Sequence, residues 1–221
     1  LRAYRFHARF GLRAWDGATA RALAAQAHEL QHLSGERIRQ EMGKLLVGPN
    51  VIAVLKMMAS HGVLQHVIPA APHRFRTDDF GLLDRLMILE DLHDQPGLWR
   101  RLAALLHRDQ DRMKALAERY RISNRDRDAL MALSAQVPAK PLNWALYQDG
   151  SGAALDRLLL DAAEMNAPAS AGHVHRILCY EPAVLPISGQ DALDLGVGPG
   201  PLVGQLIRRV EAWWIERDFQ P

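Results

Sequence analysis

Arg2, Arg5, Arg9 and Arg13 all precede the first carboxylate of the chain, Asp16. If the segment is helical, Arg2, Arg5 and Arg9 fall at i, i+3 and i+7 and share a face. Ala3, Phe6 and Phe10 then form one apolar stripe beside them, and Leu1, Tyr4 and Ala8 another. Cations without counterions between two packed faces describe a cleft that receives an external anion, because a guanidinium offers donors in a fixed planar fork. The same spacing is also met when carboxylates from elsewhere in the fold pair with the arginines, so both outcomes stay open.

A second constellation is His28-Glu29-Leu30-Gln31-His32, a literal H-E-x-x-H that extends through Leu33-Ser34 to Gly35. Two imidazoles one helical turn apart can chelate a zinc ion, with the intervening glutamate as a base. A catalytic zinc needs a third protein ligand, and the position where an extended zinc-protease signature would carry one is Ile38. Ser34 and Gly35 also end the helix at once, so the motif reads as a basic helix C-terminus and no metal ligand is assigned. His173 and His175 would diverge on a helix, and His93-Asp94 lacks further His and Asp partners. Cys179 sits in the apolar run ILCY and reads as a small buried residue. The aromatic residues Trp99, Trp144, Tyr147, Trp213 and Trp214 could stack on bases, but at helical spacing among leucines they read as core.

The elements that must carry these residues are helices. Apolar residues recur at three- and four-residue spacing almost throughout, and no alternating run supports a strand. Helices are predicted near 1–10, 18–33, 35–47, 50–61, 79–94, 97–108, 110–120, 124–136, 151–165, 170–180 and 201–218. Their breaks fall at Ser34-Gly35, Gly48-Pro49-Asn50, Pro69 to Pro72, Gln95 to Gly97, Ser123-Asn124, Pro138 to Pro141 and Asp149-Gly150. In the last helix Leu202, Leu206, Val210 and Trp213 form the expected buried stripe, and Gly204 would allow another backbone to approach. At 221 residues, 48% hydrophobic, with a mean hydropathy of −0.15, the chain can bury a core without disulfides; wholesale disorder and membrane spans are excluded. One cysteine and no secretory-type leader make a cytoplasmic location the default. The net charge of +2 hides an uneven spread, with nine Lys/Arg against four Asp/Glu in residues 1–60.

LRAYRFHARFG, then LSGERIRQEMGKLL, then NVIAVLKMMASH followed by GVL resemble, in order and spacing, the neck and body of class II tRNA nucleotidyltransferases, the family of CCA-adding enzymes and bacterial poly(A) polymerases. The tail LPISGQDALDLGVGPGPLVGQLIRRVEAWW is similar to the C-terminal segment of its shorter members. The resemblance implies an all-α, elongated helical array with three parts: neck and body RNA-binding region at 1–68, helical body at 69–140 and helical tail at 141–221. It implies that the chain starts inside the neck helix, after a Glu-Asp-x-x-Arg motif, and lacks the head whose carboxylates bind Mg²⁺. Arg2 and Arg5 would contribute to holding the incoming ATP or CTP. Arg9, Arg37, Arg39 and Lys44 would face RNA, although Arg37, Arg39 and Lys44 are read first as solvated or structurally paired. The expected partner is tRNA, held by its acceptor-TΨC arm, with no membrane. No catalytic residue is expected in the chain, and none of the parent's cofactors. The alternatives are a helical protein-interaction scaffold and, on HELQH alone, a zinc hydrolase.

Overall fold

The computed structural model describes residues 1–11, 15–69, 75, 79–93 and 96–220. Arg13, Asp94 and most of the 69–72 break therefore lie outside the described residues. Among those described there are helices and no strands. The fold class is all-α, as the 3.6-residue periodicity requires.

The chain divides into two compact units, one of residues 1–138 and 156–169, the other of 139–155 and 170–221. The first opens with α1 (Arg2–Phe10), α2 (Gly17–Ala25) and a 3₁₀ helix (Ala27–His32). It continues with α3 (Gly35–Leu46), α4 (Val51–Ser60), the single turn α5 (Leu64–Val67) and α6 (Gly81–His93). Then follow α7 (Leu98–Leu105), α8 (Gln110–Tyr120) and α9 (Asn124–Met131). Side chains cap the starts where the sequence offers Ser or Asp: the Thr19 amide donates to Asp16, the Arg37 amide to Ser34, the Arg112 amide to Asp109 and the Asp126 amide to Ser123. The core of this unit is aliphatic, built on Ile38 and Met42 of α3, Val54 and Met58 of α4, Leu83 and Leu86 of α6 and Leu102 and Leu105 of α7. Gly35 starts α3 directly against the end of α8, where an added Cβ would stand 1.7 Å from the Arg119 carbonyl oxygen. No larger residue fits that crossing.

The interior also holds charge. Glu90 of α6, fully buried, accepts hydrogen bonds from Arg100 Nε and Arg101 Nε, both at 2.5 Å, and from the Gly97 amide. Arg100 reaches Asp156 at 2.7 Å, and Arg101 donates to the Leu46 carbonyl at the C-terminus of α3. Buried Arg108 donates to the Leu133 carbonyl and pairs with Asp161 and Glu164. Such pairing offsets the cost of keeping a guanidinium ionised in a core, although Arg108 Nη2 is buried with no hydrogen-bond partner among the described residues.

The second unit is smaller. Residues 142–164 form α10 (Leu142–Glu164), which is interrupted at Gly150 (φ 83, ψ 168). Its first half belongs to this unit, with α11 (Ala171–Leu178), α12 (Gly189–Asp194) and α13 (Pro201–Glu216). The predicted helix 151–165 and the break at Asp149-Gly150 are both present, because Gly150 leaves the helical region; the helical stretch 142–149 before it has no counterpart among the predicted helices. Pro201 opens α13, where its missing N–H costs nothing. Trp214 and Ile215 are buried, and the Asn143 side chain donates to the Ile215 carbonyl. The expected buried stripe of α13 is corrected: Leu202, Val210 and Trp213 are 54%, 38% and 43% exposed. The helix turns Trp214 and Ile215 inward instead, about 100° and 200° round from Trp213. Gly204 meets only the side chain of Arg208, with no backbone near. Cys179 is likewise exposed, because α11 buries Val174 and Ile177 and leaves the following turn in solvent.

Candidate nucleic-acid interface

α1 is held from one side. Tyr4, His7 and Ala8 are buried, and α1 packs on α3 and α4. The Tyr4 hydroxyl is 2.8 Å from His61 Nδ1 at the end of α4, and Trp15 stands edge-on to both Tyr4 and His7, with ring centroids 4.9 and 5.3 Å apart. Burial pushes the Tyr4 phenol up to about 12 and depresses the His61 imidazole. The Asn50 amide side chain donates to the Ala8 carbonyl, and Gly11 ends α1 in the left-handed region at φ 59, its N–H returning to the His7 carbonyl. These contacts fix the rotation of α1 about its axis.

That rotation decides what the arginines do. Arg5 Nε lies 2.8 Å from Glu41 Oε2 of α3, a close ion pair with both side chains about one-fifth exposed. Arg2 and Arg9 are exposed, and among the described residues no carboxylate pairs with either. The two readings of the stripe thus divide: Arg5 has an internal partner, and Arg2 and Arg9 present free guanidinium groups. The two packed flanks are corrected to one. Phe6 and Phe10 are 40% and 60% exposed and stack on each other with centroids 6.1 Å apart, Arg5 lying over Phe6 at 4.5 Å and Arg9 over Phe10 at 5.8 Å. Helical spacing showed that these phenylalanines share a face; it could not show that α3 and α4 cover only the opposite one.

On α3, Arg37 and Lys44 are exposed and Arg39 is half-buried, and none has a carboxylate partner among the described residues. Ile38, Met42 and Leu45 point inward, as their spacing requires. Glu41 sits between Arg37 and Ile38 in angular order on the helix, so Arg37 and Lys44 flank the same edge of α3 that meets Arg5.

HELQH takes a different shape from the one expected. The predicted helix 18–33 breaks into α2 and a six-residue 3₁₀ helix, in which residues four apart no longer lie above one another. His28 Nδ1 is 2.9 Å from the Ala25 carbonyl and its Nε2 is 3.0 Å from Glu29, while His32 contacts Gln31. Among the described residues no cluster of three or more His, Cys, Asp or Glu side chains is arranged to hold a metal, and no helix is long and apolar enough to cross a membrane.

Residues 16–73, which carry α2 through α5, match the family model described as "Probable RNA and SrmB- binding site of polymerase A". Over its whole length the chain is 25% identical to the mitochondrial CCA tRNA nucleotidyltransferase 1 of Mus musculus, of which it covers 51%. The CCA-adding enzyme of Latilactobacillus sakei is 26% identical across 96% of the chain and 54% of that protein. Along nearly its whole length the chain is similar to CCA-adding enzymes. It spans about half the length of the curated relatives it matches. The crystal structure of the Bacillus stearothermophilus CCA-adding enzyme in complex with CTP shares the fold at a TM-score of 0.70 and 22% identity, covering 98% of this chain and 56% of that one.

Proposed function

We propose that this chain is the RNA-holding portion of a template-independent nucleotidyltransferase that adds CCA, or A alone, to tRNA 3′ ends. The observation that carries the reading is the coincidence of the RNA-binding family match at 16–73 with the exposed cations of α3 and the neighbouring α1. Arg9, Arg37, Arg39 and Lys44 contact phosphates of the acceptor-TΨC arm. Such contacts position the RNA without reading its sequence. Arg2 and Arg5 hold the incoming ATP or CTP, Glu41 fixing the Arg5 guanidinium in place. In this reading residues 1–68 form the neck and first part of the body, 69–140 the rest of the body and 141–221 the tail. In the parent enzyme Mg²⁺ supplies the electrostatic stabilisation of nucleotidyl transfer. In this reading the chain's own part is to bind and orient RNA and nucleotide, and alone it transfers no nucleotide.

Filter binding of the chain to tRNA across a salt series tests the reading. Affinity for tRNA should exceed that for single-stranded RNA of equal length, and log K should fall with log salt at a slope of about −2 to −4, as for a few phosphate contacts. Equal binding to any polyanion, or none to tRNA, would leave a protein-interaction scaffold as the better account. In a full-length parent, substituting Arg2 and Arg5 by Ala should impair nucleotide use much more than tRNA binding.

A further inference from the structure

Two helices of the first unit carry the same exposed pattern with opposite charge. On α1, Arg2, Phe6, Arg9 and Phe10 stand at i, i+4, i+7 and i+8 of one helix face, and all four are exposed. On α6, Asp84, Ile88, Asp91 and Leu92 occupy the same four positions and are exposed as well. Ile88 and Leu92, one turn apart, are 58% and 69% exposed and form a joined apolar strip between the acids, where a single exposed side chain would need no explanation. Among the described residues no cation pairs with Asp84 or Asp91, just as no carboxylate pairs with Arg2 or Arg9, so within one copy the two faces do not meet. Arg85, the one arginine of α6, is turned away from this face, its Nε donating to the Ala163 carbonyl at 2.7 Å.

Two unpaired carboxylates repel RNA and anionic lipid alike, so the surface that covers α6 sets cations around apolar side chains. α1 meets that description with its charges at the matching separation of seven residues, about 10.5 Å along either helix. We propose that the outer face of α6 docks on the outer face of α1 of a second copy, Phe6 packing on Ile88 and the two carboxylates meeting Arg2 and Arg9. The equal spacing serves either relative direction of the helices. Each copy carries both faces, and reciprocal use of them closes a two-fold dimer with two such contacts. The charges guide encounter and fix the register, while the apolar side chains supply the burial. The proposal does not depend on the RNA-binding reading and goes beyond it: an arginine engaged by the second copy is withdrawn from nucleotide and RNA, so the RNA-free chain is the form that pairs.

Sedimentation equilibrium of the chain at low salt, over a range of concentrations, tests the proposal. A monomer–dimer equilibrium is expected, and added salt should weaken it. Reversing one face, by Asp84→Arg with Asp91→Arg or by Arg2→Asp with Arg9→Asp, should weaken self-association about tenfold or more, because like charges then oppose. A one-to-one mixture of the two reversed variants should recover the original affinity, since every contact in the mixed dimer again joins opposite charges. Ile88→Ser should weaken the dimer without any change of charge. Circular dichroism verifies that each variant is folded, and Ile88→Ser together with Asp84→Asn and Asp91→Asn decides the matter if a reversed variant misfolds. A chain that stays monomeric up to about 1 mM, a dimer indifferent to these substitutions, or reversed variants whose mixture fails to associate overturns the proposal. No arm contains RNA, so failure here leaves the RNA-binding reading standing, and failure of that reading shows in the filter-binding series instead.

Discussion

Arginine does two opposite jobs within the first unit. In α7 and the turn after it, Arg100, Arg101 and Arg108 are at most 2% exposed, and carboxylates or carbonyls meet them from α3, α6 and α10. In α1, Arg2 and Arg9 stand in solvent with no carboxylate partner among the described residues. Arg5 is intermediate, paired to Glu41 at the edge of the helix packing. The residue type is the same; what differs is whether the fold supplies the counterion or leaves it to a ligand. Buried arginines lock helices together because removing one partner strands the other, whereas exposed ones add little to stability and remain available for binding.

Glu90→Gln should break the interior lock. Two buried guanidinium groups then lose their shared carboxylate, at a cost of about 3–5 kcal/mol, read as a large fall in the denaturation midpoint. A loss under 1 kcal/mol would mean that Arg100 and Arg101 are held by the backbone carbonyls and Asp156 alone. Gly35→Ala probes the α3–α8 crossing that brings the first turn of α3 against Arg119. Its Cβ has no room beside that carbonyl, so α3 must shift, costing roughly 1–3 kcal/mol.

Tyr4→Phe tests how α1 is oriented. Losing the hydroxyl contact to His61 should cost about 1 kcal/mol and loosen the arginine edge, seen as faster amide exchange in α1. The same pair sets a pH dependence. Burial lowers the His61 pKa from its ordinary 6.5, so the unfolded chain takes up a proton at pH values where the folded chain does not. Stability from this group is full above about pH 6.5 and falls as the pH drops below it; chemical denaturation at pH 7.5 and 5.5 should show the decline, and a His61→Gln variant should flatten it. The smallest effect on stability is expected for Arg9→Gln, within about 0.5 kcal/mol, while the salt dependence of tRNA binding should lose close to one contact. A destabilised Arg9→Gln variant would blur the distinction between the two kinds of arginine.

The sequence by itself determined the helical class, because apolar periodicity and the Ser, Asp and Gly breaks are local properties of the backbone. It also determined the shared face of Arg2, Arg5 and Arg9, and the inward set Ile38, Met42 and Leu45, since both follow from 3.6 residues per turn. Local rules went wrong where the choice was between two adjacent faces of one helix. On α13 the stripe through Trp213 and the pair Trp214 and Ile215 are both apolar, and only packing within the second unit selected the latter. On α1 both flanks were apolar, and α3 and α4 covered the Tyr4 side alone. HELQH lost its one-turn spacing when a 3₁₀ helix replaced the expected turn. The Glu90–Arg100–Arg101 network left no trace in local spacing, because its third strut, Asp156, lies more than fifty residues away. Tertiary structure decided these cases because which of two apolar faces is buried, and which charges are neutralised, depend on helices distant in sequence, and periodicity contains no information about them.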